Sequence, residues 1–160
     1  FNPIGAHKSG LIGEFHKGSP HLVPHIVKTA LGINKKLSVF GGDYDTRDGT
    51  CIRDYIHVVD VARAHVNALE YLEKQEQGSF YDVINLGSGE GQTVLEMIQA
   101  FESIIGEKLN YEIGPRRAGD VEKVYADNGK AAELLNWKPE SGLREMLLSA
   151  LEWEKHWNQS

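Results

Sequence analysis

Residues 48–60 read DGTCIRDYIHVVD, and they join a predicted strand to the start of a predicted helix. Residues 55–58 form a short extended segment, and Asp60, an N-cap residue type, follows directly. Behind it, apolar residues recur at helical spacing as far as about residue 75: Val61, Ala64, Ala68, Leu69 and Leu72. A strand that passes straight into a helix in this way is typical of an α/β chain.

The rest of the sequence mixes short strands with helices in the same manner. Further strands are predicted near residues 1–5, 37–40, 81–86 and 109–113. Further helices are predicted near residues 19–32, 93–105, 127–136 and 143–157. No repeat or long linker interrupts this order, so the sequence predicts one continuous α/β unit without doubly wound regularity.

Three of these predictions depend on particular residues. Ser19 and Pro20 are expected to begin the first helix, and Pro24 is expected to kink it or to delay its start. Residues 81–86 are an apolar run closed by Gly87, which favours a buried strand. Thr93 is expected to cap the following helix, since Glu96 three residues later completes a capping box.

Composition excludes several classes of partner. Of 160 residues, 17 are Lys or Arg and 23 are Asp or Glu, which gives a formal net charge of −6. An acidic chain is a poor binder of nucleic acid or of anionic membranes, because both require a basic surface. The single cysteine, Cys51, excludes an internal disulfide and predicts a cytoplasmic protein. The chain begins at Phe1 without a methionine, so it is expected to be processed or to be part of a longer chain.

Two patterns that suggest common catalytic or cofactor sites are incomplete. Residues 87–91 read GSGEG, but Gln92 stands where a dinucleotide-binding fingerprint needs its last glycine, which favours a turn between strand and helix. No tyrosine is followed four residues later by lysine, so a Tyr-x-x-x-Lys catalytic pair is absent from the sequence. His21 and His25 have helical zinc spacing, but Pro24 disturbs the turn and no carboxylate completes a ligand set, so no metal site is predicted.

Polar groups nevertheless gather where predicted strands and helices end. Asn2 follows the first strand, Arg53 precedes an extended segment, and residues 116–120 place two arginines and an aspartate around a glycine. Arginine binds phosphate oxygens bidentately, and glycine lets the backbone approach them, so the pattern indicates an anionic ligand. For any one of these segments alone, an ordinary Arg–Asp surface pair is the simpler interpretation. Phe40 is either a platform for a ring of that ligand or part of the core.

Three blocks together resemble one known family. They are residues 1–14 (FNPIGAHKSGLIGE), residues 48–58, and residues 116–127 with Arg-Arg-Ala-Gly-Asp at their start. They resemble UDP-glucose (UDP-galactose) 4-epimerases, within the extended short-chain dehydrogenase/reductase superfamily. The resemblance covers essentially the whole chain but matches the C-terminal half of such an enzyme. It implies that residues 1–160 form a UDP-sugar-binding C-terminal domain, with the N-terminal NAD-binding Rossmann half absent.

The resemblance also implies the chemistry. In the family, NAD takes a hydride from C4 of the hexose and returns it to the other face, which interconverts UDP-glucose and UDP-galactose through a 4-keto sugar. The Gly-rich fingerprint and the catalytic tyrosine belong to the missing half, so this chain alone is expected to be inactive and to hold no catalytic residue. The intact enzyme is expected to be a homodimer. The alternatives are another nucleotide-sugar epimerase or dehydratase of the superfamily, and a non-enzymatic nucleotide-sugar-binding module.

Residue by residue, the resemblance implies a set of contacts. Phe1 matches the aromatic residue beside the nicotinamide, and Asn2 an asparagine that contacts the substrate. The other substrate-binding residues implied are His21, Leu22, Ser38, Val39, Phe40, Arg53, Arg117, Ala118, Gly119, Asp120 and Val124. Among these, residues 38–40 match the segment that holds uracil, Arg53 and Arg117 match the arginines on the diphosphate, and residues 118–120 complete the loop around the nucleotide.

Two of these positions depart from the usual family pattern. His21 and Leu22 stand where the family usually has Asn-Leu. Val124 corresponds to a position that is a tyrosine closing the sugar pocket in some members and a smaller residue in others, and because Val124 lacks a ring we expect room for an N-acetyl group in the intact enzyme.

Overall fold

A computed structural model describes residues 1–15, 21–75 and 80–157. Within these residues, six short strands and five helices follow one another. The strands are β1 (Asn2–Ile4), β2 (Leu37–Phe40), β3 (Ile52–His57), β4 (Gly91–Thr93), β5 (Tyr111–Gly114) and β6 (Lys123–Val124). The helices are α1 (Leu22–Ala30), α2 (Val58–Glu73), α3 (Val94–Ile105), α4 (Gly129–Leu135) and α5 (Leu143–Trp157). The α/β class predicted from the sequence is confirmed.

Strand β3 is the centre of the larger sheet. Its first residues pair with β4 in the antiparallel direction and with β6 in the parallel direction, and its last three residues pair in parallel with β1. A second, two-stranded parallel sheet joins β2 to β5. Successive side chains of a strand point to opposite faces. Accordingly Tyr55 packs in a core formed with α1, α3 and α5, whereas Ile56 packs in a smaller core with α2 and α4.

Several predicted elements are confirmed at their positions. β1, β2 and α5 lie where the sequence places them, and α3 begins with the predicted capping box, in which Thr93 and Glu96 exchange hydrogen bonds. Helix α1 begins at Leu22 with Pro24 in its first turn, where a proline is tolerated. The predicted start at Ser19 and Pro20 lies outside the described residues.

The buried strand predicted at residues 81–86 is wrong. The segment has no regular secondary structure, and the side chains of Tyr81 and Val83 are 88% and 60% exposed. An apolar run becomes a strand when a neighbouring strand satisfies its backbone groups. No strand in the described part of the chain pairs with residues 81–86.

The prediction that Asp60 caps helix α2 is also wrong, since His57 occupies that position. Nδ1 of the His57 ring accepts a hydrogen bond from the Val59 N–H at 3.0 Å. Asp60 lies in the first turn of the helix, and its buried carboxylate accepts hydrogen bonds from the backbone N–H groups of Glu140 and Ser141 at 3.2 and 3.0 Å. Asp60 therefore fastens the segment before α5 to helix α2.

His57 is also part of a buried hydrogen-bond chain. Its Nε2 lies 3.2 Å from Oγ of Ser149, and that hydroxyl accepts from the Ala6 N–H and donates to the Met146 carbonyl. Because the hydroxyl donates to Met146, the His57 ring fits as the neutral form with its proton on Nε2. Protonating Nδ1 would remove the acceptor that caps helix α2.

We expect this arrangement to make stability depend on pH. Burial lowers the pKa of His57 from its ordinary value of 6.5, against the opposing influence of Asp60 and Glu145. Below about pH 6.5 the unfolded chain binds a proton that the folded chain resists, so stability falls as the pH decreases. Urea unfolding at pH 7.5 and 5.5 should show the stability advantage of the wild type over His57→Asn shrinking with falling pH.

A matched control uses the exposed histidine of the same helix. His65→Asn should differ from the wild type by nearly the same amount at both pH values, because His65 is exposed. An equal pH response in the wild type and His57→Asn would contradict the assignment.

Candidate functional site

A cavity of about 1020 Å³ opens beside the first residues of the chain. Strands β1, β2 and β3, the beginnings of α1 and α3, and the loop after β5 form its walls. Most residues singled out from the sequence line it: Phe1, Asn2, His21, Leu22, Ser38, Val39, Phe40, Arg53, Arg117 and Asp120. Ala118, Gly119 and Val124 are not among the lining residues.

One wall of the cavity is the free edge of β2. The backbone N–H groups of Leu37 and Gly41 donate to carbonyls of residues 110 and 114, at 2.9 and 3.0 Å. In a parallel ladder, alternate residues face the partner strand, so the N–H and C=O groups of Ser38 and Phe40 point to the opposite edge. No described strand pairs with that edge, which leaves a row of hydrogen-bond donors and acceptors facing the cavity.

Two guanidinium groups converge on one carboxylate at the cavity wall. Nη2 of Arg117 donates to Oδ1 of Asp120 at 2.9 Å, and Nη2 of Arg53 lies 3.5 Å from the same oxygen. The hydrogen bond to Asp120 raises the pKa of Arg117. The Arg117 guanidinium also lies 5.7 Å from the centre of the Phe40 ring. Two cations that share one anion leave an excess positive charge, which suits a ligand carrying phosphate.

A tight turn brings Arg117 and Asp120 together. The Asp120 N–H donates to the Arg117 carbonyl at 3.2 Å, and Gly119 has φ of +86°. Glycine adopts this left-handed conformation without strain. Ala118 and Gly119 thus shape the loop, while the side chains at its two ends reach the cavity.

Asn2 is held at the opposite wall by β3. Its Nδ2 donates to the Asp54 carbonyl at 3.0 Å, and its backbone lies in register with Tyr55. Asn2 lines the cavity, and its amide oxygen is a further hydrogen-bond acceptor. Phe1 stands beside it with 47% of its side chain exposed.

Several residues that line the cavity are not among those predicted from the sequence, and Tyr55 and Val94 are two of them. Tyr55 is buried in the cavity wall, and burial raises the pKa of its hydroxyl. Residues two apart on a strand share one face, so the position of Tyr55 relative to Arg53 could have predicted that Tyr55 also lines the cavity. Val94 lines the cavity as the first residue of α3. Nothing in the local sequence links residue 94 to the site, because the contact depends on how α3 docks.

The Asp48-Gly49-Thr50 segment produces that docking. Asp48 Oδ1 accepts from the N–H and the hydroxyl of Thr50 at 2.9 and 2.7 Å, and Asp48 Oδ2 accepts from the Thr93 hydroxyl. Thr50 Oγ1 in turn accepts from the Val94 N–H at 3.1 Å. Loop and helix N-terminus therefore satisfy one another's backbone groups, which fixes Val94 beside the start of β3.

His21 and His25 each contact another side chain. His21 Nδ1 lies 2.6 Å from Glu14 Oε1, and His25 Nδ1 lies 3.3 Å from the Asn34 amide. Among the residues that the structure describes, no three His, Cys, Asp or Glu side chains are grouped to hold a metal ion.

Comparison with known proteins adds an independent line of evidence. The sequence profile of the GDP-mannose 4,6 dehydratase family matches residues 4–149. The chain belongs to that family. A curated UDP-glucose 4-epimerase of Bifidobacterium longum subsp. longum is 49% identical over 155 residues, which are 96% of this chain and 44% of that enzyme.

Solved structures agree with this membership of the GDP-mannose 4,6 dehydratase family. The UDP-glucose-4-epimerase of Stenotrophomonas maltophila, with bound NAD and formylated UDP-arabinopyranose, matches with a TM-score of 0.94 at 44% identity, over 99% of this chain and 47% of that one. The Bifidobacterium longum enzyme in complex with NAD+ and UDP matches with a TM-score of 0.89 at 48% identity, over 97% and 45%. The chain spans a little under half of the length of these relatives and matches their C-terminal part.

In this member of the GDP-mannose 4,6 dehydratase family, the glycine-rich turn at residues 87–91 wraps a buried carboxylate. Asp54 Oδ1 accepts from the N–H and hydroxyl of Ser88 at 2.7 and 2.6 Å. Its Oδ2 accepts from the N–H groups of Gly89 and Ala126 at 3.1 and 2.9 Å. A Cβ on Gly87 would lie 2.4 Å from Oδ2, so this close approach requires glycine. The N–H groups of this turn are therefore bound to a carboxylate of the protein itself.

Proposed function

We propose that this chain is the substrate-binding part of an NAD-dependent UDP-glucose 4-epimerase, which interconverts UDP-glucose and UDP-galactose. The observation that carries the proposal is the convergence of Arg53 and Arg117 on Asp120 in a cavity that the free edge of β2 also lines. The C-terminal match to UDP-glucose 4-epimerases gives the same indication.

The base is assigned to the β2 edge. The N–H and C=O groups of Phe40 offer a donor beside an acceptor, and a uracil ring presents the complementary N–H and carbonyl on one side. The exposed face of Phe40 lies next to the same edge and offers a surface on which a planar ring can pack. Val39 belongs to the core beneath this wall and holds the strand in place.

The diphosphate is assigned to Arg53 and Arg117. Binding would exchange their contacts with Asp120 for charge-assisted hydrogen bonds to phosphate oxygens. Arg53 is preorganised for this role, because its Nη1 also donates to the Ile52 carbonyl at 2.8 Å and 19% of its side chain is exposed. The sugar then extends toward Asn2, Tyr55 and Phe1 at the opposite wall. His21 and Leu22 would close this end at the start of α1.

The glycine-rich turn at residues 87–91 does not fit a dinucleotide pyrophosphate site. The backbone N–H groups of Ser88 and Gly89, which a dinucleotide-binding turn would direct at a pyrophosphate, already donate to Asp54. Phe1 is the one residue proposed to face the nicotinamide. We therefore assign no step of hydride transfer to this chain, and we place NAD mainly on an N-terminal domain of the intact enzyme.

The same proposal includes the domain organisation, the oligomeric state and the cellular location of the intact enzyme. Residues 1–160 would be its UDP-sugar-binding C-terminal domain, and the intact enzyme would be a cytoplasmic homodimer. Within the described residues, no helix is both long and apolar enough to cross a membrane.

Calorimetry with the 160-residue chain tests the proposal. UDP should bind at one site, ADP should bind more weakly, and NAD should not bind. UDP-glucose and NAD together should give no UDP-galactose. NAD-dependent turnover by this chain, or the absence of UDP binding by the folded chain, would refute the proposal.

Val124 yields a prediction about the sugar. Val124 lies on β6, where it pairs in register with Arg53 of β3, and the residue is 39% exposed. We expect the intact enzyme to turn over UDP-GlcNAc, and Val124→Tyr to lower kcat/KM for that substrate roughly 10-fold while UDP-glucose is affected little. Val121→Tyr, at an exposed position of the same segment, serves as the control. Normal UDP-glucose turnover without any UDP-GlcNAc turnover would exclude the idea.

A further inference from the structure

Arg116 directly precedes Arg117, which is proposed to bind the diphosphate, but Arg116 itself does not line the cavity. Its Nε donates to Oδ1 of Asp43 at 2.7 Å, and its Nη2 donates to the Asp43 carbonyl at 2.5 Å. The guanidinium also lies 4.1 Å from the centre of the Tyr44 ring. Arg116 therefore contacts Asp43 and Tyr44 by two hydrogen bonds and a cation–π contact, and it is not among the residues that line the cavity.

Tyr44, whose ring Arg116 contacts, is itself held in place by neighbouring residues. The Tyr44 N–H donates to the Gly49 carbonyl at 2.9 Å, and the Tyr44 side chain is buried. Gly41, with φ of +81°, lies so close that a Cβ would be 2.4 Å from the Tyr44 ring. A ring packed this tightly gives Arg116 a fixed platform rather than a mobile partner.

Arg116 thereby joins two loops that leave adjacent strands. Residues 41–49 follow β2, and residues 115–122 follow β5. Because β2 and β5 are parallel, both loops begin at the C-terminal end of the two-stranded sheet. The hydrogen bond from the Asp45 N–H to Oε2 of Glu122, at 3.2 Å, joins the loops a second time.

Arg117 has few anchors of its own. Half of its side chain is exposed, its ion pair to Asp120 is internal to the same turn, and Asp120 contacts Arg53 only at 3.5 Å. The position of Arg117 relative to Arg53 therefore depends on where the whole loop lies. Arg53, by contrast, belongs to the central strand β3.

We infer that Arg116 is a positioning residue that fixes the loop of Arg117, and so the spacing of the two arginines that bind the diphosphate. Arg116 touches neither the base nor the phosphates and acts through Asp43, Tyr44 and the backbone of its own loop. The inference rests on the proposed function and assigns this loop-to-loop contact a part in substrate affinity.

Titrations of UDP and uridine into the 160-residue chain test the inference. Arg116→Met should weaken UDP binding about 3- to 10-fold and leave uridine binding unchanged, because uridine lacks the phosphates. Asp43→Asn, which alters the exposed partner on the other loop, should give the same pattern. In an Arg117→Met background, Arg116→Met should have little further effect, since its route of action is already removed.

Arg47→Met is the matched control. Arg47 makes a comparable double contact with Glu96, and its side chain is 50% exposed against 47% for Arg116. It should bind both ligands as the wild type does. Unchanged UDP affinity in the Arg116→Met and Asp43→Asn variants, or equal losses for UDP and uridine, would overturn the inference. A wild-type chain that fails to bind UDP would instead refute the proposed function on which the inference rests.

Discussion

Replacing both Arg53 and Arg117 with methionine is expected to abolish UDP binding, and each single replacement should weaken it roughly 10- to 100-fold. The two guanidinium groups now share one carboxylate oxygen of Asp120, so a bound diphosphate would gain two charge-assisted partners. Methionine keeps much of the length of the side chain and removes its charge. Isothermal titration calorimetry of the four chains gives the affinities.

Two controls separate this effect from a general loss of charge. Arg47→Met removes the same charge from the neighbourhood of α3 and should leave the dissociation constant unchanged. Uridine, which has no phosphate, should bind the single variants nearly as well as it binds the wild type. Retention of full UDP affinity by either single variant would show that its arginine is not a phosphate ligand.

Asp54→Ala should cause the largest loss of stability, about 3–5 kcal/mol in the free energy of unfolding. The carboxylate is fully buried and accepts hydrogen bonds from Ser88, Gly89 and Ala126. Alanine would leave three backbone N–H donors without this acceptor, of which that of Ala126 is buried and those of Ser88 and Gly89 are partly buried, at about 1–3 kcal/mol for a fully buried donor. Urea unfolding followed by circular dichroism measures the difference.

Asp127→Ala is the matched control for that loss. Asp127 is exposed, and its carboxylate accepts one hydrogen bond, from the Gly129 N–H at 2.8 Å. Its removal should cost about 1 kcal/mol or less. If Asp54→Ala proved as stable as Asp127→Ala, the buried carboxylate could not be the anchor of the turn at residues 87–91.

Local signals explain the parts of the fold that the sequence predicts well. The capping box of Thr93 and Glu96 is complete within four residues, and helix α3 begins where it predicts. Strand β2 is predicted correctly from its own apolar residues. His57 is overlooked as a cap because β3 continues to residue 57, which places its ring, rather than the Asp60 carboxylate, at the helix start. Residues 81–86 show the limit of such local signals. A strand forms only where a neighbouring strand pairs with it, and the local sequence does not show whether that neighbour is present.

The candidate site is likewise predictable from the sequence only in part. The arginines beside glycine indicate an anion site from residue type and spacing alone, and both Arg53 and Arg117 line the cavity. The same charge pattern gives Arg116 equal weight, although its side chain binds Asp43 on another loop. Residue type and spacing identify the chemistry that a segment can perform, but the direction of each side chain depends on contacts distant in the sequence.

A crystal structure of the chain with UDP tests the central claim most directly. We expect the uracil against the free edge of β2 at Ser38 and Phe40, with diphosphate oxygens about 3 Å from the guanidinium groups of Arg53 and Arg117. UDP bound outside this cavity, or bound within it with the diphosphate away from both arginines, would contradict the account.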